Sequence, residues 1–262
     1  IENIPIIKEI HLDFIEAGAE FIIANNYAVT QPILERENLS YMLEDLTLRS
    51  IEIAKEAIKE SGKEVLLAAS LPPLETSYRS DLILERTSMD HMYGELASIL
   101  ENNVDIVICE TMSHSQEAMS ALTSIQNLKS QKWLAWTIYG NQNTLPSGET
   151  ITEAFDVISD LECDAYLINC GGANLITEGI KELKPLTNKP IGGYGNSEII
   201  EISKKDRSDR PEEDHWSSAT AINEKEYAQE AQIWVEEGAT IIAGCCRTRP
   251  SHIAEISKTL KN

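Results

Sequence analysis

The sequence lacks long hydrophobic runs. Its longest apolar stretches, such as residues 104–109 and 240–243, are short, whereas a transmembrane helix needs about 20 consecutive apolar residues. Positive charge is also scarce, because 22 Lys and Arg residues stand against 43 Asp and Glu residues, for a formal net charge of −21. We therefore expect a soluble, cytoplasmic protein that makes no contact with a membrane.

The shortage of basic residues also argues against a nucleic-acid partner. Binding to phosphate backbones requires clustered Lys and Arg side chains. The stretch that comes nearest to a cluster contains Lys204, Lys205, Arg207 and Arg210, and aspartates interrupt it. We interpret residues 204–218 as one long polar loop and expect no binding to nucleic acid.

Cysteine is sparse as well. Five cysteines in 262 residues are an odd number, so they cannot all pair with one another. This usage favours a reducing compartment, where thiols serve as metal ligands or reactive groups. The sequence has no Cys-x-x-Cys motif, and this gives little support to a barrel enzyme with redox-active cysteines.

Helical and strand patterns alternate along the chain. Apolar residues at helical spacing open the sequence in residues 4–17, and Gly18 can end that helix. Seven short apolar runs, typical of a buried parallel sheet, follow at residues 21–24, 65–69, 104–109, 133–138, 165–169, 190–194 and 240–243. With eight helical patterns around them, they predict an α/β fold, a (β/α)8 TIM-type barrel whose first strand lies outside the supplied sequence. We expect residues 1–262 to form one domain.

A doubly wound open sheet is the alternative fold. Such sheets often carry a Gly-rich turn that binds a dinucleotide and opens a helix. Here Gly192, Gly193 and Gly195 follow a proline at a strand, and no helix start comes after them. The barrel is therefore the favoured interpretation.

Three cysteines are predicted to meet at the carboxyl ends of the strands, where barrel enzymes build their active sites. Cys170 ends one apolar run, and Cys245 and Cys246 end another. Three converging thiolates are a ligand set for Zn²⁺, and three protein ligands leave the fourth position open, as in catalytic zinc sites. We interpret Cys109 and Cys163 as core residues, since buried cysteines commonly act as small hydrophobes.

The cysteine motifs carry a family resemblance. Residues 239–253 read Ala-Thr-Ile-Ile-Ala-Gly-Cys-Cys-Arg-Thr-Arg-Pro-Ser-His-Ile and resemble the C-terminal signature of the homocysteine S-methyltransferase family. Weaker collinear matches lie at residues 17–20, 25–27, 71–73, 109–111, 147–149, 168–170, 194–196 and 234–239. The similarity covers nearly the whole chain.

The resemblance implies a zinc-dependent enzyme that moves a methyl group from a sulfonium or ammonium donor to the thiol of homocysteine, giving methionine. Its partners would be homocysteine and a small methyl donor. It implies that Cys170, Cys245 and Cys246 hold the zinc and that Glu110 holds the substrate amino group. The other predicted substrate-site residues are Asn25, Asn169, Tyr194 and Asn196.

Alternatives remain at this stage. The family opens with a strand that carries Asp-Gly-Gly, which has no counterpart here, so a catalytically inert zinc-binding barrel is one of them. A different thiol or a selenol acceptor is another, and a homo-oligomer is also open. A further hypothesis places Arg247 at the pocket mouth, toward the carboxylate of the amino acid.

Overall fold

A computed structural model describes residues 3–138, 144–200 and 219–261. The helices are α1 Ile4–Glu16, α2 Gln31–Arg36, α3 Leu43–Ser61, α4 Arg86–Leu100, α5 Ser115–Ser124, α6 Ile151–Ile158, α7 Ala173–Leu183, α8 Glu224–Glu236 and α9 Pro250–Leu260. The strands are β1 Phe21–Ile23, β2 Leu66–Leu71, β3 Ile106–Met112, β4 Gln131–Trp136, β5 Ala165–Gly172, β6 Ile191–Asn196, β7 Glu198–Ile200, β8 Ala219–Ala221 and β9 Ile241–Gly244. The predicted loop at 204–218 lies outside the described residues.

The main sheet contains seven parallel strands in the order β1-β2-β3-β4-β5-β6-β9. These are the seven strands predicted from the apolar runs, and the βα alternation between them is confirmed. β1 and β9 are the two edge strands of the sheet. All eight residues of β5 and all seven of β3 are buried, as expected of strands that are covered on both faces.

The sheet is curled into a TIM-type barrel that is open between β1 and β9. Phe21 on the first strand and Ile241 on the last strand pack against one cluster together with Ile108 and Leu167 from the middle strands. The rings of Phe21 and Trp133 meet edge to face with their centroids 5.3 Å apart. A flat sheet would hold these strands far apart, so the shared inner cluster requires the curl.

Helices cover the outer face of the sheet. α3 shows the reason, since its buried side chains, among them Ile51, Ala54 and Ala57, recur at helical spacing. It ends at Gly62, whose φ of 65° is the left-handed conformation that glycine adopts readily. In the described part of the chain, no helix is both long enough and apolar enough to span a membrane.

The glycines after Pro190 serve close strand packing. A Cβ on Gly192 would lie 2.3 Å from the carbonyl oxygen of Ile241, and one on Gly193 would lie 2.3 Å from Ile176. Both distances are far below van der Waals contact, so only glycine lets β6 approach β9 and α7 this closely. This agrees with the choice of a barrel over a dinucleotide-binding sheet.

A short hairpin follows β6 and was not predicted. β7 pairs with β8 in antiparallel register, with Glu198 opposite Ala221. Each strand has three residues, too few to show a period-two pattern. The hairpin sets Glu198, which is fully buried, beside the turn that follows β9.

A groove runs along the two edge strands, and we call it the edge groove. Its cavity volume is about 800 Å³. Its apolar lining includes Ile7, Ile10, Phe14, Phe21, Ile241 and Ile253. At its inner end it reaches Ser70 and Glu110, so it is continuous with the barrel interior.

Candidate metal centre

Three thiols meet at the carboxyl end of the sheet, as predicted. Cys170 lies near the end of β5, and Cys245 and Cys246 directly follow β9. Their sulfur atoms all lie within 4.8 Å of one another, and the Cys170 and Cys246 sulfurs are 3.9 Å apart. A tetrahedral ion with zinc–sulfur bonds of ~2.3 Å would separate its sulfurs by about 3.8 Å. The thiols therefore fit a thiophilic metal such as zinc.

The backbone around Cys170 is irregular. Its φ is 58°, in the left-handed region, and the pairing of β5 with β6 shifts register between Asn169 and Gly172. Such an irregularity re-aims a side chain that would otherwise alternate with its neighbours. The strand can therefore turn the Cys170 thiol toward the two cysteines after β9.

Asn196 fixes the other side of the centre. Its side-chain oxygen accepts a hydrogen bond of 3.1 Å from the backbone N–H of Cys246. Its amide group donates to Glu198 at 3.1 Å and to the Cys170 carbonyl at 3.5 Å. One fully buried side chain therefore contacts both cysteine-bearing segments and the hairpin.

The three thiols titrate as a group. Hydrogen bonds with Cys170 and Cys245 lower the pKa of Cys246, whereas hydrogen bonds with Cys170 and Cys246, together with burial, raise the pKa of Cys245. The result favours one thiolate, on Cys246, stabilised by two neighbouring thiols. A cluster that already favours a thiolate is suited to a cation.

Arg247 forms an ion pair with Glu198. Its guanidinium Nη1 lies 2.9 Å from Glu198 Oε2, and its side chain is about half exposed. The charge of Arg247 also contributes to the lowered pKa of Cys246. The hypothesis that Arg247 contacts a substrate carboxylate stays a prediction. In that role the guanidinium would bind the substrate carboxylate and Glu198 at the same time.

Glu110 lies at the inner end of the site. It accepts hydrogen bonds from the hydroxyl of Ser70 and from that of Tyr194, the latter at 2.9 Å. Burial raises the pKa of Glu110, and the two hydroxyls counteract part of that rise. The carboxylate is therefore held in a fixed orientation in a site with little water, where an ammonium group would be a strong partner.

Asn169 supports the residue after Glu110. Its side chain accepts from the backbone N–H of Thr111 at 3.0 Å and donates to the Thr111 hydroxyl at 2.8 Å. Thr111 has a φ of 61°, a strained value for a β-branched residue. The two hydrogen bonds stabilise this conformation, so Asn169 fixes the backbone at the end of β3.

Asn25 and Asn26 lie in different environments. Asn25 is exposed and lines the same cavity as Glu110. Asn26 is fully buried and exchanges two hydrogen bonds with the backbone of Ser70, at 2.8 and 3.0 Å. Sequence reasoning missed this role of Asn26, which the adjacent Asn residues alone cannot reveal.

Two tyrosines near the centre were also missed. Tyr78 reaches Cys170 from the loop after β2. Tyr227 on α8 donates to the carbonyl oxygens of Gly195 and Ala243, at 2.7 and 3.0 Å. Its hydroxyl thereby joins the carboxyl ends of β6 and β9. Both contacts cross long stretches of sequence and leave no local pattern.

The fold and the site define a class: a TIM-type barrel with a three-thiol centre that could hold a metal ion at the carboxyl ends of its strands. Residues 2–260 match the profile of the homocysteine S-methyltransferase family. The chain belongs to that family, and the predicted resemblance is confirmed.

Individual relatives agree with this assignment. Homocysteine S-methyltransferase 1 of Zea mays is 28% identical over 281 residues, which cover 98% of this chain and 84% of the relative. Selenocysteine methyltransferase of Astragalus bisulcatus is 27% identical over 293 residues, with 98% and 83% covered. The metallated homocysteine methyltransferase MmuM from Escherichia coli has the same fold, with a TM-score of 0.80 at 23% identity, covering 98% of this chain and 85% of that one.

Proposed function

We propose that this protein is a zinc-dependent methyltransferase that makes methionine from homocysteine and a sulfonium or ammonium methyl donor. The observation that carries the proposal is the convergence of Cys170, Cys245 and Cys246 in a member of this family. The same proposal takes residues 1–262 as one domain.

Zn²⁺ bound to the three thiolates would supply an open coordination position at which a substrate thiol is held deprotonated at neutral pH. The thiol gives up its proton to solvent, and its sulfur forms a bond to the methyl carbon as the bond from that carbon to the donor breaks. The electron pair of the broken bond stays on the donor, which leaves as a neutral thioether or amine. A neutral leaving group needs no proton from the protein.

The side chains of the site then have defined tasks. Glu110, held by Ser70 and Tyr194, would bind the ammonium group of homocysteine. Asn169 would keep the end of β3 in place, and Asn196 would keep Cys246 in place. Asn25 would lie in the cavity that leads to Glu110.

The test measures zinc content and product formation on the same samples. Wild type, Cys246→Ser and Cys163→Ser are purified without added metal and assayed with homocysteine and, in turn, S-methylmethionine, S-adenosylmethionine or betaine. We expect about one zinc per chain in wild type, with zinc and methionine formation both lost in Cys246→Ser. Cys163 is a matched control, because it is buried outside the three-thiol centre, where its sulfur contacts two backbone carbonyls and the hydroxyl of Tyr166.

Three outcomes would contradict the proposal in different ways. Zinc without turnover by any donor would indicate the inert barrel. Absence of zinc from wild type with its thiols reduced would overturn the metal centre. Faster methylation of selenocysteine than of homocysteine would favour the selenol alternative, which the Astragalus relative supports.

A further inference from the structure

A tyrosine hydroxyl contacts one of the three thiols. Tyr78 lies in the loop between β2 and α4, and its hydroxyl is 2.8 Å from the Cys170 sulfur and 2.8 Å from the Cys170 carbonyl oxygen. The two residues are 92 positions apart in the chain. The hydroxyl is thus within hydrogen-bond distance of a proposed metal ligand.

Backbone strain occurs at both ends of this contact. The φ of Tyr78 is 66° and that of Cys170 is 58°. A bulky residue in the left-handed region costs about 1–3 kcal/mol and persists only where its surroundings enforce it. Two strained residues joined by one hydrogen-bonded contact indicate that the loop and the strand are both built around that contact.

The loop holds Tyr78 in place through buried anchors. Leu74 donates its N–H to Glu117 at 3.1 Å, and its carbonyl accepts from Thr30 at 2.7 Å. The Tyr93 hydroxyl donates to the Pro72 carbonyl at 2.9 Å. These anchors lie on helices or at a helix start, so the approach of the Tyr78 hydroxyl to Cys170 is set by the scaffold.

The chemistry of the sulfur determines the direction of the hydrogen bond. A neutral thiol can donate to the tyrosine oxygen, but a metal-bound thiolate carries no proton and can only accept. The hydroxyl is then the donor, and its single hydrogen is shared between the sulfur and the carbonyl oxygen beside it. A hydrogen bond to a ligating sulfur withdraws electron density from that ligand, which is one way in which proteins tune metal–thiolate centres.

We propose that Tyr78 is a positioning residue of the metal centre: its hydroxyl donates a hydrogen bond to the Cys170 thiolate, fixes the direction of that ligand and weakens its electron donation to the metal. The proposal rests on the metal centre of the proposed function. A less electron-rich ligand set leaves the metal more positive, which favours deprotonation of a thiol at the open position.

The test replaces zinc with Co²⁺, whose thiolate charge-transfer band reports the electron donation of sulfur. In Tyr78→Phe we expect this band to move to longer wavelength, because a thiolate that loses a hydrogen bond is a stronger electron donor. We also expect the affinity for Zn²⁺, measured by competition with a chromophoric chelator, to fall about tenfold, because the loss of the fixed ligand direction outweighs the stronger donation by the sulfur. A loss of fold stability alone would not shift the band, and thermal unfolding of both proteins is recorded alongside.

Tyr166→Phe is the matched control. Its hydroxyl contacts Cys163, a buried cysteine outside the three-thiol centre, so its loss should change neither the band nor the zinc affinity. An unchanged band in Tyr78→Phe, or an equal shift in both variants, would overturn the role of Tyr78 and leave the metal centre intact. If wild type bound neither Co²⁺ nor Zn²⁺, the metal centre and the role of Tyr78 would both be wrong.

Discussion

At the scale of single residues, strained backbone concentrates at the candidate site. Among the described residues other than Gly and Asn, positive φ values occur at Tyr78, Thr111, Cys170 and Arg247. All four lie at or beside the carboxyl ends of the strands. Because each such conformation is costly, the surrounding hydrogen bonds must enforce it. The positive φ values therefore indicate the same location as the cluster of thiols.

Glu110→Gln tests the substrate-binding side of the site. The amide keeps the shape of the side chain and an oxygen that can accept from Ser70 or Tyr194, but it loses the charge that would pair with an ammonium group. Hydrogen bonds to charged groups contribute about 1.5–3 kcal/mol, so we expect the KM for homocysteine to rise about thirtyfold. Steady-state kinetics with the preferred donor measure this change.

Zinc content is the internal control for that variant, since Glu110 is not among the three proposed metal ligands. Zinc bound in wild-type amount together with a raised KM would agree with the assignment. An unchanged KM together with a reduced zinc content would instead assign Glu110 to metal binding and not to substrate binding.

At the scale of elements, Glu117 joins three parts of the fold. It lies near the start of α5, accepts from the N–H of Leu74 after β2, and accepts from the hydroxyl of Tyr93 on α4. Burial raises its pKa from 4.5 to about 7. The Glu117 side chain therefore links α4 and α5 to the loop that carries Tyr78. Because the site is buried, ionisation of this carboxyl destabilises the folded state.

This shift makes the stability of the protein depend on pH. The pKa of Glu117 is higher in the folded state than in the unfolded state, so between pH 4.5 and about 7 the folded state binds more protons. The stability that protonated Glu117 contributes is therefore fully present below pH 4.5 and is lost as the pH rises to about 7. The cost is about 3 kcal/mol by pH 8. The glutamine in Glu117→Gln does not titrate. We therefore expect the difference in free energy of unfolding between this variant and wild type to shift by about 3 kcal/mol in favour of the variant between pH 4.5 and pH 8.

Urea unfolding at a series of pH values measures this difference. Comparing the two proteins at each pH cancels the titration of all other carboxylates, including Glu110. Parallel pH profiles for wild type and Glu117→Gln would show that Glu117 stays ionised in the fold, contrary to the expectation.

The elements also show what the sequence could predict. Continuous apolar runs such as 104–109 predicted strands of the buried sheet, because a strand covered on both faces needs apolar side chains at successive positions. The three cysteines were predictable because parallel strands end at one edge. The hairpin of Glu198 and the contact of Tyr78 with Cys170 were not, since three-residue strands and loop contacts depend on tertiary packing.

At the scale of the whole molecule, the open edge of the barrel is the main departure from a closed fold. Strand edges carry unpaired backbone groups, and closed barrels remove them. Here the edge groove combines such edges with apolar side chains of α1 and α9. His11 lines it with a buried Nε2 that has no hydrogen-bond partner in the described structure. These features predict that the 262-residue chain associates with apolar molecules, including other copies of itself.

Two isoleucines on α1 allow a matched test. Ile10 is 48% exposed and lines the edge groove, whereas Ile6 is 55% exposed and does not line it. We expect native wild type to enhance the fluorescence of anilinonaphthalene sulfonate and to sediment partly as a dimer. Ile10→Lys should reduce both effects, because a charge at the groove must remain hydrated, while Ile6→Lys should leave them unchanged. A wild type that stays monomeric and does not bind the dye would contradict the prediction. If both variants lose the effects equally, another face of α1 makes the contact.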